Sequence, residues 1–448
     1  MWNNRFNIVS SVKKFFKMSE KKKIVTAISI GAGSRGQTYS SYAIHFPQEL
    51  QIVGVACDRE FQRKQLQEKH KIPDENVFMD WSDVLKKDKF ADCVIIATPD
   101  DLHKEPAVAF AKMGYHILLE KPMAVTAEDC KEIVKTVKEN GVILVVCHVL
   151  RYIHWAKKIK EIIDSGAIGD IVNIQHTEPV GYWHFAHSFV RGNWHNEAKS
   201  SNSLLAKCCH DVDLINYWMG GRKCEQISSF GHLSHFNSKD KPSGAAKRCV
   251  DCPGAIESNC PYSAKRFYLD HVKMGNTGWP VNIVADVPDI ESVTEALRTG
   301  PYGICVYQND NDVMSNQIVN FQYEGGRTAS LTMMAFTKRV CDRKTTVYGT
   351  RGELNFDDGK SDVIEVCDFV TGQTSQHRPK IEATVMKGHG GADFFLMQYF
   401  VNTVRENKKE DLVTGPDETL ASHLLVFAAE TARKENRVVS IKPDGSCA

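Results

Sequence analysis

The chain of 448 residues lacks three features that would each point to a special environment. It has almost no net charge, because 56 basic residues balance 55 acidic ones to give +1, so nothing in its bulk electrostatics favours nucleic acid as a partner. It has no apolar run of transmembrane length. It also has no internal repeat and no low-complexity segment. These absences favour a soluble globular protein, and an apolar content of 42% is enough for two cores.

A secretory signal is absent as well, so the fourteen cysteines predict reduced thiols and a cytoplasmic location. Residues 1–23 are interpreted separately, as an N-terminal extension. Residues 1–17 carry four basic and no acidic side chains, with large apolar residues at roughly helical spacing. They predict either a mitochondrial transit peptide or a basic membrane-surface helix. The alternative is a disordered extension ahead of Met18.

A nucleotide-binding pattern begins at Gly31. An apolar run at 24–30 predicts a strand, and it leads directly into Gly-Ala-Gly-Ser-Arg-Gly at the start of a predicted helix. In such a turn Gly31 permits the tight bend, Gly33 lets the backbone approach a pyrophosphate, and Gly36 allows close helix–strand packing. The helix N-terminus at Ser34 and Arg35 then offers free N–H groups to phosphates.

Asp58 lies 22 residues beyond Gly36, at the end of the next predicted strand, 51–56. Its carboxylate is placed to accept hydrogen bonds from the adenosine ribose hydroxyls and to repel a 2′-phosphate, so NAD is predicted over NADP. Arg59 weakens this preference, because a guanidinium can stack on adenine or contact a 2′-phosphate.

Residues 24–148 alternate short β-rich runs with amphipathic helical stretches. This alternation predicts a Rossmann domain, an α/β fold with a doubly wound parallel sheet. Ligands bind outside the carboxyl ends of such strands, and His148 falls there. The residues at these strand ends that are predicted to bind the cofactor are Thr98, Pro99, His103, Glu120 and Lys121.

From residue 149 to 448 the pattern changes. Strands with alternating polarity, including a hairpin at 317–323 and 327–333, predict a second, α+β domain on an open, largely antiparallel sheet. A long irregular insertion at about 230–307 carries several cysteines.

Three of these cysteines, Cys249, Cys252 and Cys260, are candidate zinc ligands. The first two have zinc-knuckle spacing, but no second pair follows, so a fourth ligand has to come from elsewhere. The candidates for it are Cys224, Cys208, His232 and His271. The competing interpretation is idle thiols in a reducing compartment.

As a set, these motifs resemble the Gfo/Idh/MocA family, the glucose–fructose oxidoreductase and inositol dehydrogenase group. The matching segments are Gly31–Gly36, Ala97–Pro99 with His103, Glu120–Pro122, His210–Asp213, Gly349–Gly352 and Gly388–Gly391. The resemblance covers about residue 23 to the C-terminus. It implies an NAD(P) hydride carrier, sugar- or cyclitol-like substrates, and a homo-oligomer formed through the C-terminal sheet.

Hydride transfer from a carbinol carbon requires a base for the hydroxyl proton and benefits from a cation beside the developing alkoxide. Lys121, at the carboxyl end of a strand, is predicted to be that cation, with Glu120 or Pro122 fixing its direction. The resemblance places His210 at the position of the base.

Many family members carry Asp four residues before this histidine, where the present chain has Ala206. Lys207 shares the helical face of His210 instead, and we expect it to lower the pKa of His210 and to take part in catalysis. The competing interpretation is that Lys207 contacts backbone or an acidic group.

An aromatic segment at 182–195 predicts a carbohydrate-binding wall, because rings stack on the C–H faces of sugars while His, Arg and Asn bind their hydroxyls. Core packing accounts for some of its rings. The predicted substrate-binding residues are Arg151, Tyr182, Trp183, His184, Arg191, Trp194 and His210.

Three functions fit these residues. The leading prediction is an NAD(P)-dependent dehydrogenase that oxidises a secondary hydroxyl of a sugar, glycoside or cyclitol. The second is an NAD-dependent glycoside-cleaving enzyme that oxidises transiently and eliminates the aglycone, which needs a further acid–base group such as Tyr182 or His184. The third is a non-catalytic NAD-binding sensor, suggested by the missing Asp.

Overall fold

The computed structural model describes residues 23–382, 384–442 and 445–447. Residues 1–22, and with them the predicted targeting helix, lie outside the described residues. In the part of the chain that the structure describes, no helix is long and apolar enough to cross a membrane.

The N-terminal part of the chain, residues 25–146, forms a six-stranded parallel sheet. Its strands are β1 Val25–Ile30, β2 Leu50–Ala56, β3 Val77–Phe78, β4 Cys93–Ile96, β5 His116–Leu119 and β6 Leu144–Val146. The intervening helices are α1 Ser34–His45, α2 Glu60–His70, α3 Trp81–Val84, α4 Lys104–Lys112 and α5 Ala127–Glu139. The strand order is β3-β2-β1-β4-β5-β6, and β4 and β6 are buried at every residue. The predicted Rossmann sheet is confirmed.

The C-terminal part of the chain is built on a nine-stranded mixed sheet. Its strands are β7 Ile171–Pro179, β8 Cys224–His232, β9 Asn316–Tyr323, β10 Arg327–Met334, β11 Lys344–Gly349, β12 Gly352–Asp357, β13 Ile364–Asp368, β14 Thr374–His377 and β15 Val439–Ser440. Its helices are α6 His154–Asp164, α7 Tyr182–Phe185, α8 Ser203–Trp218, α9 Gly254–Glu257, α10 Asp270–Lys273, α11 Val281–Val284, α12 Ile290–Thr299, α13 Ala392–Arg405 and α14 Pro416–Glu435.

The order in this sheet is β14-β13-β12-β11-β7-β10-β9-β8-β15, and only β7 and β10 pair in parallel. The predicted hairpin is β9–β10, joined at Glu324–Gly326. Alternate residues of β9 are buried, and α8 and α14 pack against strands of this sheet. The predicted open, largely antiparallel second sheet is therefore confirmed.

The insertion between β8 and β9 is more regular than the sequence indicated. It contains α9 to α12 and has a small core of its own around Tyr268 and Leu297. Helix α12 begins with a reciprocal cap in which Asp289 and Ser292 bind each other's backbone N–H. Because Ser replaces the usual Glu or Gln of this motif, the start of the helix is hard to recognise in the sequence.

The C-terminal segment packs against the parallel sheet and pairs with its last strand. The N–H of Val146 in β6 donates to the carbonyl of Thr414 at 2.9 Å. The N–H of Met123 donates to Nε2 of His423 in α14, also at 2.9 Å. Phe427 of α14 packs against the core of the parallel sheet. These contacts place α14 and the segment before it against the parallel sheet.

Candidate active site

The glycine turn after β1 is packed so tightly that side chains are excluded. Gly31 has a φ of +91°, and a Cβ there would lie 2.5 Å from the carbonyl oxygen of Ala97. A Cβ on Gly36 would lie 2.1 Å from the carbonyl oxygen of Gly31. Gly33 precedes α1 without a side-chain cap, so Ser34 begins a helix whose first N–H groups remain available to an anion.

Asp58 and Arg59 follow β2 beside this turn, and both are exposed. The Asp58 carboxylate accepts the backbone N–H of Arg59 at 2.9 Å. The Arg59 guanidinium lies over the turn, 2.7 Å from where a Cβ on Gly33 would stand. Both groups of the predicted ribose and adenine subsite therefore lie at the same edge as the glycine turn.

Arg35 points into the protein. Its guanidinium donates to Glu120 at 2.7 Å, to Asp393 of α13 at 2.7 Å, and to the hydroxyl of Tyr39 at 2.6 Å. Glu120 also accepts the N–H of Lys121 at 2.6 Å. Burial disfavours the Glu120 carboxylate, but Arg35 and Lys121 lower the pKa of Glu120 below its usual value. Arg35 and Glu120 thus link the cofactor turn to Lys121 and to the C-terminal half.

The loop after β4 is held by a buried histidine. His103 Nδ1 lies 2.7 Å from the carbonyl oxygen of Pro122, and its Nε2 lies 3.0 Å from that of Thr98. Pro99 precedes a short 3₁₀ turn that carries Asp100. His103 therefore braces the loop after β4 against the loop after β5.

Lys121 and His210 come together at the carboxyl edge of the parallel sheet. Lys121 Nζ donates to the carbonyl oxygen of Ala206 at 2.6 Å, one turn before His210 in α8. His210 is 6% exposed. Burial, followed by the positive charge of Lys121, holds the pKa of His210 well below its usual range. The imidazole is therefore neutral near pH 7 and can act as a base.

His210 belongs to a group of four histidines with His148, His389 and His423. The ring of His148 lies 5.5 Å from that of His210 and 5.4 Å from that of His423, and the His389 ring lies 6.4 Å from His210 on another side. His148 is fully buried, and neither of its ring nitrogens has a hydrogen-bond partner among the described residues. His148 could be found from its place after β6, whereas His423 has no local sequence signal.

Lys207 points away from His210. Its Nζ lies 2.9 Å from Cys341 Sγ and 3.4 Å from the buried carboxylate of Glu178. Burial works against the ammonium, but Cys341 and Glu178 raise the pKa of Lys207. The expectation that Lys207 lowers the pKa of His210 is not met. Its charge acts on His184, whose pKa is held well below the usual range by burial and then by Lys207.

Arg343 completes the surroundings of Lys207. It contacts Glu178 at 3.1 Å and donates to Asp211 at 2.7 Å, and Asp211 also lies 3.0 Å from His176. The charge of Arg343 holds the pKa of Asp211 below its usual range despite burial. The sequence pattern identified none of these partners of Lys207.

Trp194, in the aromatic segment at 182–195, lies beside Lys121 at the site. Its Nε1 donates to Asp100 at 2.9 Å, and its ring lies 5.9 Å from Lys121 Nζ. Asp100 also accepts from Ser201 at 3.1 Å, and burial raises its pKa. Asp100 was not among the predicted site residues, although it directly follows the predicted cofactor loop.

The other predicted substrate-binding residues divide into two groups. The rings of Tyr182, Trp183 and His184 contact the aromatic groups of the insertion, with Trp183 4.7 Å from Phe267.

The two arginines are engaged in the interior instead. Arg151 is buried and binds Asp213 at 2.6 Å. Arg191 donates to the carbonyl oxygens of Ile304 and Tyr262, each at 2.8 Å.

The three candidate zinc ligands of the insertion, Cys249, Cys252 and Cys260, line one small cavity together with Cys305. Cys305 was not among the four candidates for the missing ligand. Within residues 23–382, 384–442 and 445–447, no group of three or more His, Cys, Asp or Glu side chains is placed to hold a metal ion. All fourteen cysteines are free thiols.

Family models agree with the fold and with the glycine turn. Residues 25–148 match the model described as an oxidoreductase family with an NAD-binding Rossmann fold. Residues 160–441 match the C-terminal alpha/beta domain of the same oxidoreductase family. Both models describe one oxidoreductase family, whose N-terminal domain has an NAD-binding Rossmann fold. The chain belongs to the Gfo/Idh/MocA family.

Individual relatives match over shorter stretches. An uncharacterized oxidoreductase of Streptococcus pneumoniae is 33% identical over 178 residues, which are 40% of this chain and 45% of the relative. A 2,7-anhydro-N-acetylneuraminate hydratase of Escherichia coli is 34% identical over 153 residues, which are 34% of this chain and 40% of the relative. The chain thus spans less than half the length of these curated relatives.

A solved structure shares the whole architecture. Levoglucosan dehydrogenase in complex with NADH superimposes with a TM-score of 0.68 at 16% identity, covering 94% of this chain and all 100% of that one. At this identity the likeness establishes the fold.

Proposed function

We propose that the protein is an NAD-dependent dehydrogenase that transfers a hydride between a secondary hydroxyl of a sugar, glycoside or cyclitol and nicotinamide. One observation carries the proposal. A buried, neutral histidine, His210, lies beside an ammonium, Lys121, at the carboxyl edge of a parallel sheet that also carries the glycine turn. A base and a cation are what alcohol oxidation requires at this position.

The residues of the turn fit the cofactor. A Cβ on Gly36 would collide with the carbonyl oxygen of Gly31, and the N–H groups at the start of α1 have no side-chain cap and can bind the pyrophosphate. Asp58 is exposed where the adenosine ribose would lie. When bound, nicotinamide supplies the hydride acceptor.

Each catalytic side chain then has a defined task. His210 takes the hydroxyl proton, and its low pKa keeps it ready to do so at neutral pH. Lys121 stabilises the developing alkoxide, with the Ala206 carbonyl holding its ammonium near α8. Glu120 fixes the backbone of Lys121. Trp194, linked to Asp100 and stacked on Phe189, has its ring 5.9 Å from Lys121 Nζ, and we propose that it borders the sugar ring of the substrate.

The substrate class rests on this aromatic face and on the relatives. The structural neighbour with a TM-score of 0.68 is named levoglucosan dehydrogenase. A panel of sugars, cyclitols and aryl glycosides with NAD, monitored by NADH absorbance, tests the proposal. NADH formation with at least one polyhydroxy substrate is the expected result, and none with any of them would refute it.

A second candidate is redox-neutral cleavage or hydration by transient oxidation. It is favoured by the Escherichia coli relative, which is named a hydratase, a reaction without net oxidation. The same panel separates the two functions, because aglycone release or hydration with a constant NADH level indicates the second. A protein that binds NAD but turns over none of the substrates would instead fit the sensor interpretation.

We also propose that two copies associate through the outer face of the nine-stranded sheet. Phe230 of β8 and Ile318 of β9 are paired across this face and are 63% and 47% exposed. Sedimentation of the wild type and of a Phe230→Glu variant tests this, and identical monomeric behaviour would contradict it. The fourteen free thiols support our proposal of a cytoplasmic location.

A further inference from the structure

The position of His210 raises the question of how its proton reaches water, provided that the proposed dehydrogenase function holds. Oxidation of a secondary alcohol removes a hydride from carbon and a proton from oxygen, and the proton has to leave the base before the next turnover. His210 is only 6% exposed, and its Nδ1 is buried without a hydrogen-bond partner among the described residues.

Two neighbours of His210 offer no route to solvent. His148, with its ring 5.5 Å away, is fully buried. His423, behind His148, is fully buried as well, and its two ring nitrogens are occupied by Met123 and Thr419.

His389 differs from them in exposure. Its side chain is 42% exposed, and its ring lies 6.4 Å from that of His210. One water molecule can bridge two imidazoles at this separation. His389 is therefore a neighbour of the buried base that also reaches the surface.

Asp393 fixes the orientation of His389. His389 Nδ1 lies 3.1 Å from the Asp393 carboxylate, which is fully buried. Burial opposes the charge of Asp393, but Arg35 and His389 hold its pKa below the usual range. A carboxylate at Nδ1 selects the tautomer with hydrogen on that nitrogen, so Nε2 remains free to accept a proton.

The backbone around His389 is shaped for this contact. His389 has a φ of +47°, an uncommon conformation for a residue other than glycine. A Cβ on Gly388 would lie 1.9 Å from the Asp393 carboxylate, so the turn can close over this acid only with glycine there. Such backbone strain in a non-glycine residue concentrates at functional sites.

We propose that His389, oriented by Asp393, relays protons between His210 and bulk water. In the oxidative direction the substrate hydroxyl proton passes to His210, from there through one water to His389 Nε2, and then to solvent. The carbinol carbon loses its hydride to the cofactor, so one alcohol gives one carbonyl and one released proton. In the reductive direction the same groups carry one proton inward. His389 acts through His210 and does not touch the reacting atoms.

The test is the His389→Ala variant at low buffer concentration. We expect kcat to fall about 10²-fold, at the lower end of the range for a lost proton-transfer group. Added imidazole should restore turnover in proportion to its concentration, because it can take the place of the missing side chain. The dissociation constant of NAD should stay the same. Unchanged turnover, or a loss that imidazole does not restore, would overturn the proposal.

The matched control is His377→Ala on β14, where the histidine contacts Ser375 at 3.0 Å. This variant should keep wild-type turnover and show no response to imidazole. A response equal to that of His389→Ala would indicate a general buffer effect and contradict the relay.

A measurement on the cofactor-free protein separates this inference from the proposed function. Long-range ¹H–¹⁵N spectra should show His389 protonated at Nδ1, and Asp393→Asn should shift it toward the other tautomer. If the wild type forms no NADH with any substrate, the proposed function fails, whereas the spectra report on the pair independently. An Nε2–H tautomer at His389 would overturn the relay in either case.

Discussion

Two lysines, Lys121 and Lys207, lie at the same turn of α8 but contact different groups. Lys121 donates to the backbone carbonyl of Ala206, and its positive charge acts on His210. Lys207, the next residue of the helix, lies 3.4 Å from the buried carboxylate of Glu178. Each ammonium lowers the pKa of a histidine, Lys121 that of His210 and Lys207 that of His184, so its effect depends on which groups its side chain faces.

The difference shows why helical spacing was misleading for Lys207. Residues three apart share a helix face, which favoured a contact between Lys207 and His210. The buried Glu178 at the end of β7 attracts Lys207 instead, because an unpaired buried carboxylate costs several kcal/mol. The cation that acts on His210 is Lys121, from the loop after β5.

The largest effects on turnover should follow substitution of Lys121 or His210. Lys121→Ala and His210→Ala should each lower kcat by about 10²–10⁴-fold, because each removes a group needed for proton transfer or charge stabilisation. NAD binding, measured by fluorescence titration, should change little. Wild-type turnover in either variant would remove that residue from the mechanism.

Lys207→Met should lower the free energy of unfolding. We expect a loss of about 2 kcal/mol, less than the roughly 3–5 kcal/mol for a completely broken buried pair, because Arg343 still contacts Glu178 at 3.1 Å. Thermal unfolding measures this loss. The double variant Lys207→Met/Glu178→Gln should recover part of it, and no recovery would argue against the pairing.

The pH profile should also separate the two lysines. Only neutral His210 acts as a base, so kcat/KM should hold below pH 6.5 and fall as the pH drops through the lowered pKa of His210. Lys121→Met removes a positive charge and should raise this acidic limb by about one pH unit, whereas Lys207→Met should leave it in place. A shift with Lys207→Met alone would reverse the assignment of the two cations.

The smallest effect concerns cofactor choice. NAD should be preferred over NADP because Asp58 repels a 2′-phosphate, and Asp58→Ala should reduce the preference by about tenfold, since one such contact is worth about 1.4 kcal/mol. The ratio of kcat/KM for the two cofactors measures it. Equal or better use of NADP by the wild type would contradict the assignment.

The strands and the glycine turn were predictable because their signals are local. The apolar runs that became β1, β2 and β4, and the turn at Gly31, are written in consecutive residues. Lys121 and His210 were identified from strand position and resemblance, and the structure brings them together.

The groups that surround them could not be found in the same way. Arg35 and Asp393 are 358 residues apart in the chain, and Met123 and His423 are 300 apart. No periodicity reports such contacts, because they depend on how two sheets and the last helices pack. Thus the contacts of the Arg35 guanidinium with Glu120 and Asp393 had no local signal, whereas the prediction that the N–H groups at Ser34 and Arg35 meet the phosphates rests on the helix N-terminus alone.

The bond between Arg35 and Asp393 has a consequence for how the protein is made. During synthesis the parallel sheet emerges first, yet the carboxylate that binds the guanidinium in its glycine turn arrives only with α13. The backbone partner of β6, the carbonyl of Thr414, emerges later still. The nucleotide-binding part can therefore be completed only after Thr414 has emerged, and in a chain interrupted before residue 393 Arg35 keeps Glu120 and Tyr39 but lacks its second carboxylate partner.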